Sequence, residues 1–128
     1  MVSMLRGVGI DLVEINRIGN LLNRFGDSFL DRVFTDRERR LTRVKSGAAA
    51  HFAVRFAAKE AFLKALGSGW RKGIKWREIE VVTETSGGPG LELWGTAKEI
   101  FSQQGLKNIF LSLAHEKEYG VAVLVVEA

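Results

Sequence analysis

The chain has 128 residues, of which 46% are hydrophobic and 27% are charged, with no cysteine and a formal net charge of +4. This composition predicts one globular domain over residues 1–128, excludes a disulfide framework and general disorder, and favours an anionic partner. No apolar run approaches the ~20 residues of a membrane span, and the amino terminus lacks the apolar core of a signal peptide, so we expect a cytoplasmic protein.

The first predicted element is a strand over Met4–Val13. Its apolar residues recur at every second position: Val8, Ile10 and Leu12. Asp11 lies within this strand, although aspartate is depleted in strands. Gly7 and Gly9 fall on the same face as Asp11, and glycine inside a strand often marks a place where a ligand or another backbone comes close. We therefore expect the face around Asp11 to be open.

An amphipathic helix is predicted after this strand and ends at Gly26. Its apolar positions are Ile15, Ile18, Leu21, Leu22 and Phe25. Arg17 and Arg24 lie two turns apart on its outer face. A short apolar segment then leads to Thr35, which forms a capping-box pattern with Glu38 and predicts the start of another helix.

A long helix is predicted next, from a cap at Ser46 to its end at Gly67. The segment 52–66 is apolar around most of its circumference, so we expect this helix to be buried. Among the residues of this helix, Glu60 limits the range of possible functions most. Burying an unpaired carboxylate is costly or forces it to take a proton, so a charged Glu60 needs a partner. A bound cation is one candidate, and Lys64 one turn on is the other.

The second half of the chain predicts four strands and one more helix. The strands are predicted at 79–83, 91–94, 109–115 and 121–127. A capping box of Thr96 and Glu99 opens the helix, and Gly105 closes it. The last two strands form a hairpin, and Val121–Val126 is apolar on both faces, which predicts a central strand or one covered by another subunit. The loop Gly67–Gly73 combines three glycines with two cations, so it is a phosphate-binding loop or a plain connector.

Asp11 and Glu60 are hard oxygen ligands from separate elements, and they suggest a magnesium site. Mg²⁺ usually takes one or two carboxylates and completes its shell with water and substrate phosphate. A closed zinc site is disfavoured, because there is no cysteine and the only histidines are His51 and His115. The alternative is that Glu60 pairs with Lys64 and that Asp11 accepts hydrogen bonds from backbone amides.

Two segments carry a specific pair of motifs: Gly9–Ile18, a glycine-hydrophobic-aspartate strand, and Arg55–Gly67, an arginine-initiated helix with a Lys-Glu-Ala run. Together they resemble the holo-[acyl-carrier-protein] synthases, the small bacterial class of phosphopantetheinyl transferases. The resemblance covers essentially the whole chain. It implies an α+β fold in which an antiparallel sheet packs with helices, including one long buried helix. It also implies a homotrimer with active sites between neighbouring subunits, so that Asp11 and Glu60 could come from different chains.

The resemblance also implies an activity, which is transfer of the phosphopantetheine arm of coenzyme A to a serine of an apo acyl carrier protein. Adenosine 3′,5′-bisphosphate would be released, and magnesium would be required. Asp11 and Glu60 match the metal ligands that join the enzyme to the pyrophosphate. In the same mapping Lys59 and Lys64 lie near coenzyme A phosphate, and the loop from Gly67 onward borders the nucleotide.

The run Ser112–His115 reads Ser-Leu-Ala-His, where the family usually has Ser-x-Ser-His. Its first and last residues match the family and are expected near coenzyme A, whereas Ala114 removes one hydroxyl. Three groups are candidates for the general base that takes the serine proton: His115, Glu60 through a metal-bound water, and Glu116. A structural histidine at a strand end is the alternative, and the sequence does not choose among these readings.

The two outer arginines of the first helix gain a role from the resemblance, because the protein substrate of the family presents an acidic helix. Arg17 and Arg24 would complement it, and a solvated helix face is the alternative. The main rival function is a nucleic-acid-binding module, but the aromatic residues of the long helix lie at core spacing and not interleaved with cations. A magnesium-dependent phosphohydrolase would share the carboxylates and need no acceptor protein. The sequence leaves open the accepted carrier proteins and whether the pathway makes fatty acids or secondary metabolites.

Overall fold

Two antiparallel sheets and one long helix form the frame of the molecule, and the predicted α+β fold is confirmed. The computed structural model describes residues 4–42, 47–67 and 73–128. Within these ranges the elements are β1 (Leu5–Glu14), α1 (Ile15–Phe25), α2 (Asp27–Val33), α3 (Asp36–Thr42), α4 (Ala48–Leu66), β2 (Ile79–Thr83), β3 (Pro89–Leu93), α5 (Gly95–Gln103), β4 (Asn108–His115) and β5 (Tyr119–Glu127). A 3₁₀ turn over Trp76–Glu78 precedes β2. Of the described helices, none has both the length and the apolar character to cross a membrane.

Strand β5 is the centre of the larger sheet, whose order is β1-β5-β4 with both pairs antiparallel. The predicted closing hairpin is confirmed, and so is the central position of the apolar segment Val121–Val126. Strands β2 and β3 form a separate antiparallel pair. The larger sheet therefore has two faces, one covered by helix α4 and one turned away from it.

Helix α4 is buried as predicted, since ten of its 19 residues are buried. Its side chains pack in one hydrophobic core with Ile18 of α1 and Leu124 of β5. The helix ends at Gly67, which has a φ of +105° and donates its N–H to the Lys64 carbonyl at 3.2 Å. Glycine suits this position because other residues are strained at such a φ. The predicted cap, Ser46, lies outside the described residues.

The backbone of α4 approaches β1 so closely that the strand carries glycine at both points of contact. A Cβ added to Gly9 would overlap the carbonyl oxygen of Ala61, and one added to Gly7 would overlap that of Ala65. The expectation of an open face around Asp11 is therefore wrong. The two glycines make room for the backbone of a helix and not for a ligand.

The ends of two other helices show which caps the sequence predicts well. Thr35 N–H donates to the Glu38 carboxylate at 2.9 Å and Glu38 N–H donates to Thr35 Oγ1 at 3.2 Å, so the capping box of α3 is confirmed. The capping box predicted from Thr96 and Glu99 is wrong. Helix α5 begins earlier, at Gly95, and the Glu78 carboxylate accepts the N–H of Thr96 at 3.2 Å. The cap thus comes from a distant residue of the chain.

The contact between β1 and α4 generates a prediction about stability. Gly9→Ala should lower the free energy of unfolding by at least about 2 kcal/mol, because the new methyl group must displace helix backbone. Gly19→Ala in α1 is the matched control, since its nearest new contact, the Ala49 Cβ, is at 3.7 Å. It should leave the protein unchanged or stabilise it by up to about 1 kcal/mol. Urea unfolding measures both, and equal effects of the two variants would contradict the close contact.

Candidate active site

The first pair of candidate residues that the structure brings together is Asp11 and Lys64. Lys64 Nζ donates to Asp11 Oδ1 at 2.9 Å and to the carbonyl oxygen of Ile10 at 3.0 Å. The Asp11 side chain is 14% exposed and that of Lys64 is 51% exposed. Among the described residues, the partner of Asp11 is thus an ammonium group and not a backbone amide. The exposed lysine can turn toward solvent without disturbing the core.

Glu60 lies on the same side of α4 as Lys64, one turn earlier, and is half-buried. The strand runs antiparallel to the helix, because Gly7 meets Ala65 while Gly9 meets Ala61. From Gly9 to Asp11 the strand rises about 6.6 Å. One turn of α4, counted from Ala61 toward the start of the helix, rises about 5.4 Å. Asp11 therefore falls level with the turn of α4 that ends at Glu60. The seam between β1 and α4 carries both carboxylates.

The two carboxylates at this seam suit a magnesium ion better than a metal ion whose ligands all come from protein side chains. In the described part of the chain, no three or more His, Asp or Glu side chains cluster closely enough to enclose a metal. Two carboxylates, Asp11 and Glu60, leave most positions of an octahedral shell to water and phosphate oxygens, which is the usual arrangement for Mg²⁺ in nucleotide sites. The residues present therefore fit the metal that the sequence predicts.

Lys59 does not lie at the surface, where the resemblance would place it near a phosphate. Its side chain is 0% exposed, and Nζ donates to Glu38 Oε1 at 2.8 Å, to Val33 O at 2.7 Å and to Trp76 O at 3.1 Å. An ammonium has three donors, and all three are used inside the protein. The assignment of Lys59 to a coenzyme A phosphate is therefore wrong for this conformation. Lys59 is a structural residue of the core.

The partner of Lys59 is itself part of a buried polar network. Glu38 is fully buried, and its second carboxylate oxygen, Oε2, accepts the N–H of Val81 at 2.8 Å. The hydroxyl of Thr35 donates to Glu80 Oε2 at 2.6 Å. The fully buried side chains of Lys59 and Glu38 thereby join helices α3 and α4 to strand β2. Every contact in this network satisfies a group that would be costly to bury alone.

Burial also changes the proton affinity of two cations on α4. Burial lowers the pKa of Lys59, and the nearby charge of Glu38 opposes that change. Burial lowers the pKa of Arg55 as well, with Glu38 again acting in the opposite direction. The guanidinium of Arg55 donates to the carbonyl oxygen of His51 at 3.1 Å. The carboxylate of Glu38 thus supports positive charge on two neighbouring turns of the helix.

The sequence itself carries a signal that Lys59 is buried. Lys59 is seven residues from both Phe52 and Leu66, so all three share one face of α4. Phe52 and Leu66 are buried. A lysine at the centre of such an apolar row predicts a buried charge, and a buried charge predicts an internal carboxylate partner.

Ser112 and His115 lie on strand β4, and the sheet register places them on opposite faces. Ser112 is opposite Val123 on β5, which is opposite Ile10 on β1. Directly paired residues point to the same side of a sheet, so Ser112 shares the face of Ile10, whereas Asp11 points to the other face. His115 is exposed at the end of β4. A single chain therefore does not bring Ser112 to Asp11.

The remaining candidates are the two arginines of α1 and the start of the predicted nucleotide loop. Arg17 and Arg24 are exposed on α1, and the guanidinium carbon of Arg24 lies 5.3 Å from the centre of the Phe25 ring. In the ranges that the structure describes, neither arginine forms an ion pair. Gly67 is exposed at the end of α4, and positions 68–72 of the predicted nucleotide loop lie outside the described residues.

Known proteins resemble this chain along almost its whole length. Residues 7–124 match the 4′-phosphopantetheinyl transferase superfamily. The holo-[acyl-carrier-protein] synthase of Geotalea daltonii is 48% identical over 124 residues, which are 97% of this chain and 99% of that protein.

Solved structures of holo-[acyl-carrier-protein] synthases share the fold. The crystal structure from Neisseria meningitidis has a TM-score of 0.88 and 32% identity, with 98% of this chain and 100% of that chain covered. The structure from Helicobacter pylori, a complex with coenzyme A, has a TM-score of 0.80 and 31% identity, with 93% of this chain and 98% of that chain covered. The chain therefore belongs to the 4′-phosphopantetheinyl transferase superfamily and is similar throughout to holo-[acyl-carrier-protein] synthases.

Proposed function

We propose that this chain, as a single domain, is a holo-[acyl-carrier-protein] synthase. It transfers the phosphopantetheine arm of coenzyme A to a serine of an apo acyl carrier protein. The serine oxygen attacks the phosphorus that carries the arm, the bond to the second phosphate breaks, and adenosine 3′,5′-bisphosphate leaves. The single observation that supports this best is the seam of Asp11, Glu60 and Lys64, in a chain whose relatives carry this name.

Asp11 and Glu60 are proposed to hold Mg²⁺ at this seam together with the pyrophosphate of coenzyme A. When bound, the ion would supply positive charge next to the phosphate oxygens, where negative charge increases as the bond breaks. Lys64 is half exposed beside Asp11, which supports a role for its ammonium in binding a phosphate oxygen of the substrate. Lys59 has no free donor and stays outside the proposed site.

The proton of the carrier serine must move to a base near the reacting phosphorus. His115 is our candidate, because it is exposed and is the last residue of β4, an edge strand of the larger sheet. Glu60 through a metal-bound water and Glu116 beside the histidine remain the two alternatives. Ser112 is proposed to contact coenzyme A, and Gly67 begins the loop that is proposed to border its nucleotide.

A homotrimer with active sites between subunits is proposed from the outer face of the larger sheet. Val8, Ile10 and Leu12 on this face are between 55% and 63% exposed, and Phe110 on β4 is 56% exposed. A continuous apolar face of this kind is typical of a surface that a partner covers. Because Ser112 shares this face and Asp11 does not, contact with a neighbouring copy is a way to complete a site from two chains.

Arg17 and Arg24 are proposed to bind the acidic helix of the carrier protein. Both are exposed, and Phe25 beside Arg24 is 49% exposed, so cationic and apolar groups are adjacent there. A cytoplasmic location and a role in fatty-acid biosynthesis complete the proposal. The absence of cysteine is compatible with a reducing compartment.

Incubation with coenzyme A, Mg²⁺ and an apo acyl carrier protein tests the activity and the metal ligands together. Mass spectrometry should show that the carrier gains one phosphopantetheine arm. Asp11→Asn and Glu60→Gln should each reduce this rate by at least about 100-fold while the protein stays folded. Glu99→Gln, at an exposed carboxylate of α5, is the control and should keep full activity. Breakdown of coenzyme A without an acceptor would instead favour a phosphohydrolase.

Reversal of charge at Arg17 and Arg24 tests the carrier surface. The double variant Arg17→Glu/Arg24→Glu should raise KM for the carrier protein at least about tenfold, because like charges now face each other. KM for coenzyme A should not change. Lys98→Glu/Lys107→Glu, at two exposed lysines, makes the same change in net charge and is the control. An equal rise in both KM values would contradict a specific role of the two arginines in binding the carrier protein.

Introduction of a charge into the outer face tests the assembly. Analytical ultracentrifugation should give a trimer for the parent chain and a monomer for Ile10→Glu, because burial of the new carboxylate is too costly. Activity should be lost with the trimer. Trp94→Gln, at another exposed apolar residue, should leave both unchanged. A parent protein that is monomeric and fully active would refute the shared site.

A further inference from the structure

Glu60 has a rigidly held residue on each side of it in the sequence. Successive residues of an α-helix point about 100° apart, so Lys59 and Ala61 point away from Glu60 in opposite rotational senses. Lys59 points into the polar network of the core, and Ala61 lies against β1. The direction in which Glu60 points is therefore bounded by the contacts of its two neighbours.

The anchor at Lys59 joins the helix to three other segments of the chain. Nζ donates to Val33 at the end of α2, to Trp76 in the 3₁₀ turn, and to Glu38 in α3. Glu38 in turn accepts the N–H of Val81 in β2. These are hydrogen bonds with fixed directions, so they resist rotation of α4 about its own axis more strongly than apolar contacts of the same area would.

The anchor at Ala61 sets the distance between the helix and the first strand. Gly9 allows the Ala61 carbonyl to lie in contact with the strand backbone, and the same strand continues to Asp11. This contact limits the separation of α4 from β1 but does not by itself prevent the helix from turning. The Lys59 anchor supplies the restraint that the glycine contact lacks.

We propose that Lys59, through its buried pair with Glu38, is a positioning residue that fixes Glu60 relative to Asp11 for metal binding. This inference rests on the proposed function of the two carboxylates. Functional groups must be held within about 0.5 Å of their working geometry by the residues behind them. A buried ion pair often adds little net stability compared with an apolar pair, so its presence calls for another role, and fixing the orientation of α4 is that role here.

The test separates the positioning role from stability. Lys59→Met leaves the Glu38 carboxylate buried without its cation and should lower the midpoint of thermal unfolding by more than about 10 °C. The double variant Lys59→Met/Glu38→Gln removes both charges, keeps an acceptor for one of the two backbone amides that donate to Glu38, and should recover part of that loss. If Lys59 were purely structural, metal binding would recover together with the stability.

The decisive measurement is the Kd for Mn²⁺, determined by electron paramagnetic resonance with coenzyme A present and well below each midpoint. We expect the double variant to bind Mn²⁺ at least about tenfold more weakly than the parent despite its partly recovered stability. Ile100→Ala, which opens a cavity in the core on α5, is the matched control. It should lower the midpoint and leave the Kd unchanged.

The outcomes distinguish this inference from the proposed function. If Glu60→Gln leaves the Kd for Mn²⁺ unchanged, the metal assignment itself is wrong. If Glu60→Gln weakens binding and the stable double variant binds Mn²⁺ like the parent, only the positioning role is wrong. Should the double variant not fold, Glu38→Gln alone takes its place, because it weakens the ion pair while it preserves side-chain size. Parental Mn²⁺ affinity in that variant would also overturn the inference.

Discussion

The contact between the backbone of α4 and the backbone of β1 is the constraint on which the other features depend. It exists because Gly7 and Gly9 present no side chains to Ala61 and Ala65. With the helix this close, Lys64 reaches the strand and bonds to Asp11. Any larger residue at the two glycine positions would widen the seam and draw the strand carboxylate away from the helix. A packing requirement of the core thus determines the geometry of the candidate site.

The sequence was sufficient for features that depend on near neighbours. The capping box of Thr35 and Glu38 and the end of α4 at Gly67 each involve residues within one turn. The closing hairpin follows from two apolar strands with a short polar connection. Asp11 and Glu60 stood out because each is a polar exception within an apolar pattern, which is a local signal with a functional meaning.

Features that depend on distant partners were not predictable in the same way. Lys59 was placed near a coenzyme A phosphate only because the family resemblance implies it. Its true partner, Glu38, is 21 residues earlier, and only the tertiary fold brings the two together. The cap of α5 is a similar case, because Glu78 reaches it from 18 residues earlier. The open face expected at Asp11 failed because glycine permits a close backbone as readily as a ligand.

The order of the strands has a consequence for how the chain acquires this structure. Strand β5 lies between β1 and β4 in the sheet, yet it is the last of the described strands along the chain. During synthesis, β1 and the apolar surface of α4 therefore stay unpaired until β5 emerges from the ribosome. Such non-local pairing slows folding and leaves hydrophobic surface open to aggregation in the meantime. Nascent chains of this protein should accordingly spend longer as clients of chaperones than a helical bundle of the same size.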